Sequence, residues 1–279
     1  MRNGLVRNWM GSNVITVTPE THLNDARRIM DAEKIRHLPV VENDRLVGII
    51  TRRGLLRADL SPLNETGWTA EGSLNDERVG AIMTANPITT LPDAALPKAA
   101  RVLLENKITG LPVIDPQGRL AGILTSSDIF RALLAELPFL KETILVKDYM
   151  TAQVISITPD TAILEAHRLM GVERIRALPV VDGEELLGIV TRTDLMSADP
   201  SRLTGKLQQE MALKIQTQSV ERIMTRRLLT VGPDQPILEA ARLMLENKIH
   251  ALPVLDANRR MVGIVTESDL FRLTVKKFF

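Results

Sequence analysis

Internal repetition is the feature that most constrains how this chain can fold. Two markers, the tripeptide LPV and a methionine, recur with the same successive spacings of 73, 67 and 74 residues. Because two independent markers share these spacings, the chain consists of four copies of one unit. The LPV copies begin at Leu38, Leu111, Leu178 and Leu252, and the methionines are Met10, Met83, Met150 and Met224.

The spacing also groups the four repeats into two halves. The third LPV lies 140 residues after the first, and the fourth lies 141 residues after the second. We therefore predict a first half over residues 1–140, with repeats at about 1–60 and 78–140, and a second half over residues 141–279, with repeats at about 141–200 and 218–279. Between the first two repeats, the polar stretch Asp59–Asn75, which contains Trp68, reads as a surface linker.

Each repeat has the same predicted order of elements. A short apolar stretch such as VITV is followed by an amphipathic helix, which in the third repeat presents Ile163, Ala166 and Met170 at helical spacing. LPV then begins a buried strand, a polar turn leads into a second apolar strand, and a closing helix follows. The predicted fold is α/β (α+β), built of four β-α-β-β-α repeats. A repeat of about 60 residues buries too little apolar surface alone, so we expect repeats to associate in pairs.

Composition argues against several functional classes. The 279-residue chain has a net charge of +1, no cysteine and no apolar run long enough to cross a membrane. Disulfides and thiolate metal sites are impossible, and a nucleic-acid partner or a membrane location is not expected. The histidines lack metal-ligand spacing and no catalytic set is visible, so we expect no metal, no catalytic residues and no enzyme activity. The absence of cysteine suits a cytoplasmic location.

In three of the four repeats, the second strand ends in a TxxD phrase whose groups can bind a nucleotide. In GILTSSDIF, Thr125 would be the N-cap of the closing helix and Asp128 its third residue. A helix N-terminus favours a phosphate, the threonine hydroxyl can donate to it, and the carboxylate can accept from a ribose. The same residues also match a capping box, which binds nothing. Both roles remain open, and they can alternate. The three complete copies are Thr125, Ser127 and Asp128; Thr191, Thr193 and Asp194; and Thr266, Ser268 and Asp269.

The ordered recurrence of an MT-like start, an IxxLPV element and a GIxTxxD ending resembles the cystathionine-β-synthase (CBS) domain family along nearly the whole chain. The resemblance implies two pseudo-twofold CBS pairs, each a disc with two clefts. Such clefts often bind adenosine-containing ligands, namely AMP, ADP, ATP or S-adenosylmethionine. CBS pairs commonly regulate an enzyme or transporter. Four stand-alone copies are comparable in number to the gamma subunit of AMP-activated protein kinase.

The resemblance also implies which residues share a cleft, because the Asp of one copy closes on the IxxLPV backbone of its partner copy. Arg36, Arg176 and His250 within these segments either read phosphate charge or are solvated. The implied partners are Ile35, Arg36 and His37 for Asp128; Ile249, His250 and Ala251 for Asp194; and Ile175, Arg176 and Ala177 for Asp269.

The fourth cleft departs from the family pattern. The first repeat reads GIITRRGLL, so Thr51 and Arg53 are followed by Gly54 where the other copies have Asp. This cleft, opposite residues 108–110, lacks the carboxylate that would accept from a ribose. We predict that it is empty or binds differently.

Together these observations predict a regulatory protein that senses AMP, ADP or ATP and transmits a conformational change to an unidentified protein partner. No cofactor is required beyond the regulatory adenine nucleotide, and a homodimer is possible. The alternatives are a ligand-free assembly scaffold whose TxxD boxes are only caps, an S-adenosylmethionine-binding regulator, and a DNA-associated regulator.

Overall fold

The computed structural model describes residues 4–55, 77–139, 143–197 and 217–278. The predicted linker at Asp59–Asn75, with Trp68, lies outside these residues. Within the described ranges, no helix combines the length and apolar character needed to cross a membrane.

Each repeat contains an antiparallel hairpin and one long helix before it, and helical structure follows the hairpin directly. The helices are α1 (Leu23–Ala32), α2 (Val79–Ile82), α3 (Leu96–Glu105), α4 (Ser126–Glu136), α5 (Ile163–Val172), α6 (Arg192–Ser197), α7 (Ile237–Asn247) and α8 (Glu267–Phe278). The strands are β1 (His37–Glu42), β2 (Arg45–Thr51), β3 (Thr84–Ala85), β4 (Gly110–Ile114), β5 (Leu120–Thr125), β6 (Ala177–Asp182), β7 (Glu185–Thr191), β8 (Ala251–Leu255) and β9 (Met261–Thr266). Residues 52–55 are also helical, and short 3₁₀ turns lie at Val6–Asn8, Leu137–Phe139, Val146–Asp148 and Val220–Arg222.

The four hairpins share one register. In the first, Leu38 pairs with Ile50 and Val40 with Gly48, and a bulge follows Val40. The other three hairpins have their bulge at the equivalent place. Leu38 and Val40 are fully buried, as are the equivalent residues of the other repeats. The mixed α/β fold with small antiparallel sheets confirms the predicted fold class.

The short apolar stretch at the start of each repeat differs from the prediction. It contributes a single bridging residue rather than a full strand. Val17 pairs in parallel with Val40, and its backbone is hydrogen-bonded to Pro39 and Val41. The proline and polar residues that follow turn the chain into the helix before a ladder can extend. The equivalent bridges join Thr90 to Val113, Ile157 to Val180, and Val231 to Val254.

The helix that follows this bridge packs as its periodicity predicts. In α5, Ile163, Ala166 and Met170 are buried against the strands of the third repeat, and Leu169 packs partly on the same cluster. In α3, Pro97 lies within the first turn, where the missing N–H costs no helical hydrogen bond. The amphipathic pattern therefore identifies the core-facing side of these helices.

The first residues of each repeat belong structurally to its neighbour. The Val6 amide donates to Ala94 O in the second repeat, and the Val79 amide donates to Thr21 O in the first. The third and fourth repeats make the same reciprocal exchange. The valines at these positions, all fully buried, are Val6, Val79, Val146 and Val220. Each repeat therefore completes its neighbour's core with its own N-terminal segment.

The recurring methionine and the glycine of GIxT meet in this exchange. Met224 of the fourth repeat lies over Gly188 of the third, where an added Cβ would be 2.7 Å from the sulfur. Met150 makes the reciprocal contact with Gly263, where the distance would be 2.6 Å. In the first two repeats, Met10 covers Gly122 and Met83 covers Gly48. These glycines are needed because the partner's methionine and backbone occupy the space of a side chain.

The chain divides into two compact units. One comprises residues 1–132 with 274–279, and the other comprises residues 133–273. The first and second repeats exchange segments within the first unit, and the third and fourth exchange within the second. We call these the first pair and the second pair. The predicted boundary between residues 140 and 141 lies outside the described residues.

We predict that Gly188→Ala destabilises the second pair by about 1–3 kcal/mol, the usual cost of overpacking. The new methyl group would lie 2.7 Å from Met224 Sδ and 3.1 Å from the carbonyl oxygen of Thr225. Urea denaturation of the full chain measures the change. Gly171→Ala is the matched control: nothing lies within 4 Å of its added Cβ in α5. That variant should be neutral or more stable by about 0.5–1 kcal/mol. Equal effects at both glycines would contradict the packing argument.

Candidate functional site

Three TxxD phrases adopt one capping geometry. Thr125, Thr191 and Thr266 immediately precede α4, α6 and α8. In α4, Asp128 Oδ2 accepts hydrogen bonds from the Thr125 amide at 2.6 Å and from its hydroxyl at 2.7 Å. The corresponding distances are 2.8 and 2.6 Å for Asp194, and 2.7 and 2.8 Å for Asp269. Each carboxylate therefore satisfies the start of its own helix with one oxygen.

The second carboxylate oxygen distinguishes the three sites. Asp128 Oδ1 accepts from Arg131, and Asp269 Oδ1 accepts from Arg272 at 2.8 Å. Both arginines are about half exposed, with side-chain exposures of 54% and 52%. Within the described ranges, Asp194 Oδ1 accepts no hydrogen bond, and Asp194 is only partly buried. Asp194 thus has one oxygen that is not engaged by the described part of the chain.

Burial changes the titration of two of these carboxyl groups. Asp128 and Asp269 are almost fully buried, and desolvation raises the pKa of each above its usual value of 3.8. Hydrogen bonds from the neighbouring threonine and arginine oppose this increase. The ionised carboxylates therefore lie in places where additional hydrogen-bond donors would stabilise them.

Of the other predicted hydroxyls, Ser127 is half-buried, while Thr193 and Ser268 are exposed.

The first repeat has half of this motif. Thr51 Oγ1 accepts from the Gly54 amide at 3.0 Å, which caps the helix without an acid. An added Cβ at Gly54 would meet only this hydroxyl, at an ordinary 3.4 Å. Gly54 is therefore not required by packing. Arg53 is exposed. That this cleft is empty or binds differently stays a prediction.

In the second pair, a buried carboxylate connects the IxxLPV elements of both repeats to the start of α8. Glu267 is 3% exposed. Its Oε2 accepts from Arg176 of the third repeat at 3.1 Å, and its Oε1 lies 2.7 Å from His250 Nδ1. The Glu267 amide donates to His250 O at 3.1 Å. Arg176 of the third repeat therefore lies beside the TxxD motif that contains Thr266 and Asp269. The CBS resemblance predicts that these two segments share a cleft.

The first pair has the same backbone with different side chains. The Ser126 amide donates to Thr109 O at 3.0 Å, as Glu267 does to His250 O. The Ser126 side chain is 1% exposed, and its Oγ has no hydrogen-bond partner among the residues that the structure describes. His37 Nε2 lies 3.2 Å from Thr109 Oγ1, and its ring packs against Gly110. The IxxLPV segments of these two repeats are therefore in direct contact.

Other predicted site residues have structural roles. Ile35 and Ile175 pack partly against the cores of the first and third repeats. Ala177 and Ala251 pair with Thr191 and Thr266 across their hairpins. Ile249 is partly buried. The predicted facing of Asp128 with residues 35–37, and of Asp194 with residues 249–251, stays a prediction.

Two features were missed by the sequence interpretation. The first is the residue directly after the threonine, Ser126 or Glu267, which is buried. The prediction instead named the following residue, Ser127 or Ser268. Comparison of the four copies could have shown that the position directly after the threonine varies in charge. The second feature is an exposed apolar side chain at the same place in every repeat, within stretches that were interpreted as strands. These residues are Ile15, Ile88, Ile155 and Leu229.

No group of three or more metal-ligating side chains is found within the described ranges.

Two surface cavities lie against α1. One, with a volume of about 500 Å³, is lined by Ile15, Asp25, Arg28 and Ile29, among others. Neither cavity is lined by a TxxD residue. The candidate site is defined by the capping motifs and the IxxLPV contacts, not by these cavities.

The repeats define a class of protein. The sequence model of the CBS domain matches residues 6–61, 79–135, 146–201 and 220–276, which is most of the chain. The protein therefore belongs to the CBS domain family.

Two similar proteins match this chain over almost its whole length. Uncharacterized protein MJ1225 from Methanocaldococcus jannaschii is 31% identical over 267 residues, which cover 93% of this chain and 94% of the relative. Its crystal structure, proposed to be that of an archaeal homolog of g-AMPK, matches 96% of this chain and 99% of its own with a TM-score of 0.79. An uncharacterized conserved protein from Pyrococcus horikoshii shares the fold, with 24% identity, a TM-score of 0.66 and coverage of 97% and 100%.

We predict that Gly110→Ala destabilises the first pair by about 1–3 kcal/mol. The added methyl group would lie 2.6–2.8 Å from ring atoms of His37. The second pair has Ala177 and Ala251 at the equivalent positions. His37→Ala/Gly110→Ala should therefore recover most of the loss. Double-mutant analysis of urea denaturation measures the coupling. Additive effects of the two substitutions would show that contact with the His37 ring is not the cause of the stability lost in Gly110→Ala.

We also predict a pH-dependent contribution from Asp269. Between pH 3.8 and its raised pKa, the folded chain holds a proton that the unfolded chain has lost. The free energy of unfolding of the native chain, minus that of Asp269→Asn, should therefore fall as pH rises through this window. Denaturation of both chains from about pH 3 to 7 tests this sign. A difference that rises with pH would mean that hydrogen bonds to the carboxylate outweigh its burial.

Proposed function

We propose that this protein is a cytoplasmic regulatory module that binds adenosine nucleotides, AMP, ADP or ATP, in clefts within its CBS pairs. In this proposal the nucleoside contacts the TxxD motif of one repeat and the IxxLPV segment of its partner. Asp128, Asp194 and Asp269 accept from the ribose, while the adjacent hydroxyls and helix amides bind the phosphate. The proposed role is regulatory rather than catalytic.

The observation that carries the proposal is the contact between Arg176 and the start of α8. Arg176 belongs to the third repeat, and its guanidinium lies 3.1 Å from Glu267, which is next to Thr266. Charged side chains are rarely buried between repeats without a role in packing or binding. The contact supports a cleft formed by two repeats with polar and charged groups at its edge.

Two of the carboxylates can exchange one present partner, an arginine, for a ribose hydroxyl. Asp128 and Asp269 can retain the cap on Oδ2 and release Oδ1 from a half-exposed arginine. Water can solvate the released arginine, whereas the buried Oδ1 needs a replacement donor, which the ribose hydroxyl supplies. Each hydrogen bond from a ribose hydroxyl to a carboxylate contributes about 1.5–3 kcal/mol. Capping and binding can therefore occur at the same residue.

Regulation follows from the shared cleft. A ligand that contacts two repeats stabilises the arrangement in which both sets of contacts form, by its differential affinity for that arrangement. A protein partner that reads this arrangement would respond to the nucleotide.

A ligand-free scaffold is the second candidate, and one observation favours it. All three carboxylates already complete their helix caps, and two have both oxygens engaged by their own helices. A scaffold needs nothing more from these residues. The two candidates differ in their response to ligand.

Thermal denaturation with AMP, ADP, ATP or S-adenosylmethionine tests the proposal. Ligand binding to the native state raises the melting temperature in proportion to ln(1 + [L]/Kd). Asp128→Ala and Asp269→Ala should each lower affinity by about tenfold or more, because they remove hydrogen bonds to a charged acceptor. Isothermal titration measures the affinities.

Asp148→Ala is the matched control. Asp148 Oδ2 accepts from the Leu145 amide at 2.9 Å, so it caps a helical turn in the same way but lies outside the TxxD phrases. This variant should lose stability without losing affinity. If millimolar adenosine ligands leave the melting temperature unchanged, the scaffold interpretation replaces the sensor.

A further inference from the structure

The two CBS pairs differ in charge at the residue that begins the last helix. This position is Ser126 in α4 and Glu267 in α8. In both pairs its amide donates to the carbonyl two residues before LPV. The backbone is therefore equivalent, and only the side chain changes. Both side chains are buried.

In the second pair, the Glu267 carboxylate lies at the start of α8, where the phosphate of a ligand would otherwise lie. Its Oε2 accepts from the Arg176 guanidinium, and its Oε1 lies 2.7 Å from His250 Nδ1. Arg176 is the cation that a phosphate at this helix start would meet. A phosphate entering here would meet a buried negative charge and would compete with it for Arg176. Like charges brought together in a buried site oppose binding strongly.

In the first pair, this internal anion is absent. Ser126 Oγ is buried and lacks a hydrogen-bond partner within the part of the chain that the structure describes. A buried hydroxyl without a partner is unfavourable, and a ligand oxygen would satisfy it. α4 has 11 residues, long enough for its N-terminus to favour an anion. Arg36 stands where the second pair has Arg176.

We infer that Ser126 and Glu267 set the charge of the ligand that each pair accepts. The first pair takes an anionic adenosine phosphate at the start of α4. The second pair takes an adenosyl ligand without a phosphate at the start of α8, because Glu267 replaces that phosphate. The inference therefore restricts the phosphate contacts of the proposed function to the other clefts. This inference rests on the proposed function, since it assumes that these clefts bind adenosine.

Two probes that share the nucleoside test the inference: AMP, and 5′-methylthioadenosine, which replaces the phosphate with a neutral group. Isothermal titration of the full chain in the Asp128→Ala/Asp194→Ala background isolates the cleft at the start of α8. There, adding Glu267→Ser should raise AMP affinity by about tenfold or more. Glu267→Gln, which removes the charge but retains the size, should raise it similarly. Arg176→Ala added to Glu267→Ser should cancel the gain.

The reciprocal substitution tests the first pair. In the Asp194→Ala/Asp269→Ala background, Ser126→Glu should lower AMP affinity by about tenfold or more and change the affinity for 5′-methylthioadenosine much less. Melting temperatures of all variants without ligand show whether each remains folded. Glu267→Gln keeps a group that can accept from Arg176, so it tests the charge even if Glu267→Ser unfolds the pair.

The outcomes separate the two proposals. If adenosine ligands bind but AMP affinity at the second pair stays within about twofold in both Glu267 variants, the charge inference is wrong and the sensor function stands. Equal losses of both probes in Ser126→Glu would also overturn it, because a steric effect would then explain the loss. If neither probe binds the native chain at millimolar concentration, the proposed function itself fails.

Discussion

The reciprocal exchange of N-terminal segments is the interaction on which each pair depends. A valine, a methionine and the intervening backbone of one repeat fill the core and edge of its neighbour, and the neighbour returns the same contacts. Met224 lies over Gly188 while Met150 lies over Gly263. Val220 and Met224 are part of the apolar cluster of the third repeat. Because a repeat of about 60 residues buries too little surface alone, this exchange makes the pair the cooperative unit.

The exchange also explains why a candidate cleft is made of two repeats. Once each repeat is completed by its neighbour, the hairpins and the helices that follow them are held in a fixed relation within the pair. The IxxLPV segments then meet, as His37 meets Gly110, and Arg176 reaches the first residue of α8. A ligand that contacted both segments would act on an arrangement that the core already restricts. Such a contact can bias the pair without any new secondary structure.

Much of the fold could be predicted from the sequence, because its determinants are periodic. The spacing of Met83 and Met150 established the repeats, and the pattern of Ile163, Ala166 and Met170 identified the buried side of a helix. The first strand was overestimated because a short apolar run cannot show whether its neighbours form a ladder. The segment exchange was not predicted, although Val79 and Val220 lie four residues before the marker methionines. Recurrence gives the position of a residue but not the repeat that it contacts.

The candidate site was predictable in its motifs and not in its charges. TxxD correctly located the start of each helix, because an N-cap and an acid at the third position are local signals. The importance of Glu267 is not local, since it depends on Arg176, 91 residues earlier in the chain. A contact between residues so far apart in the chain can be recognised only when it is known which segments lie together.

The differences between the pairs are coordinated rather than scattered. Where the first pair has the His37 ring over Gly110, the second has Ala177 and Ala251, and the histidine of the second pair stands at the position of Thr109. In the second pair that histidine lies beside Glu267, whereas the first pair has Ser126 there. The other pair thus has a smaller residue at each of these positions: Ala177 for His37, Thr109 for His250 and Ser126 for Glu267. Duplicated repeats that served only as packing would have no reason to place a buried acid in one copy and, in the other, a buried hydroxyl with no partner among the described residues, since both arrangements cost desolvation. The coordinated change therefore favours two clefts of different electrostatic character over a fourfold scaffold.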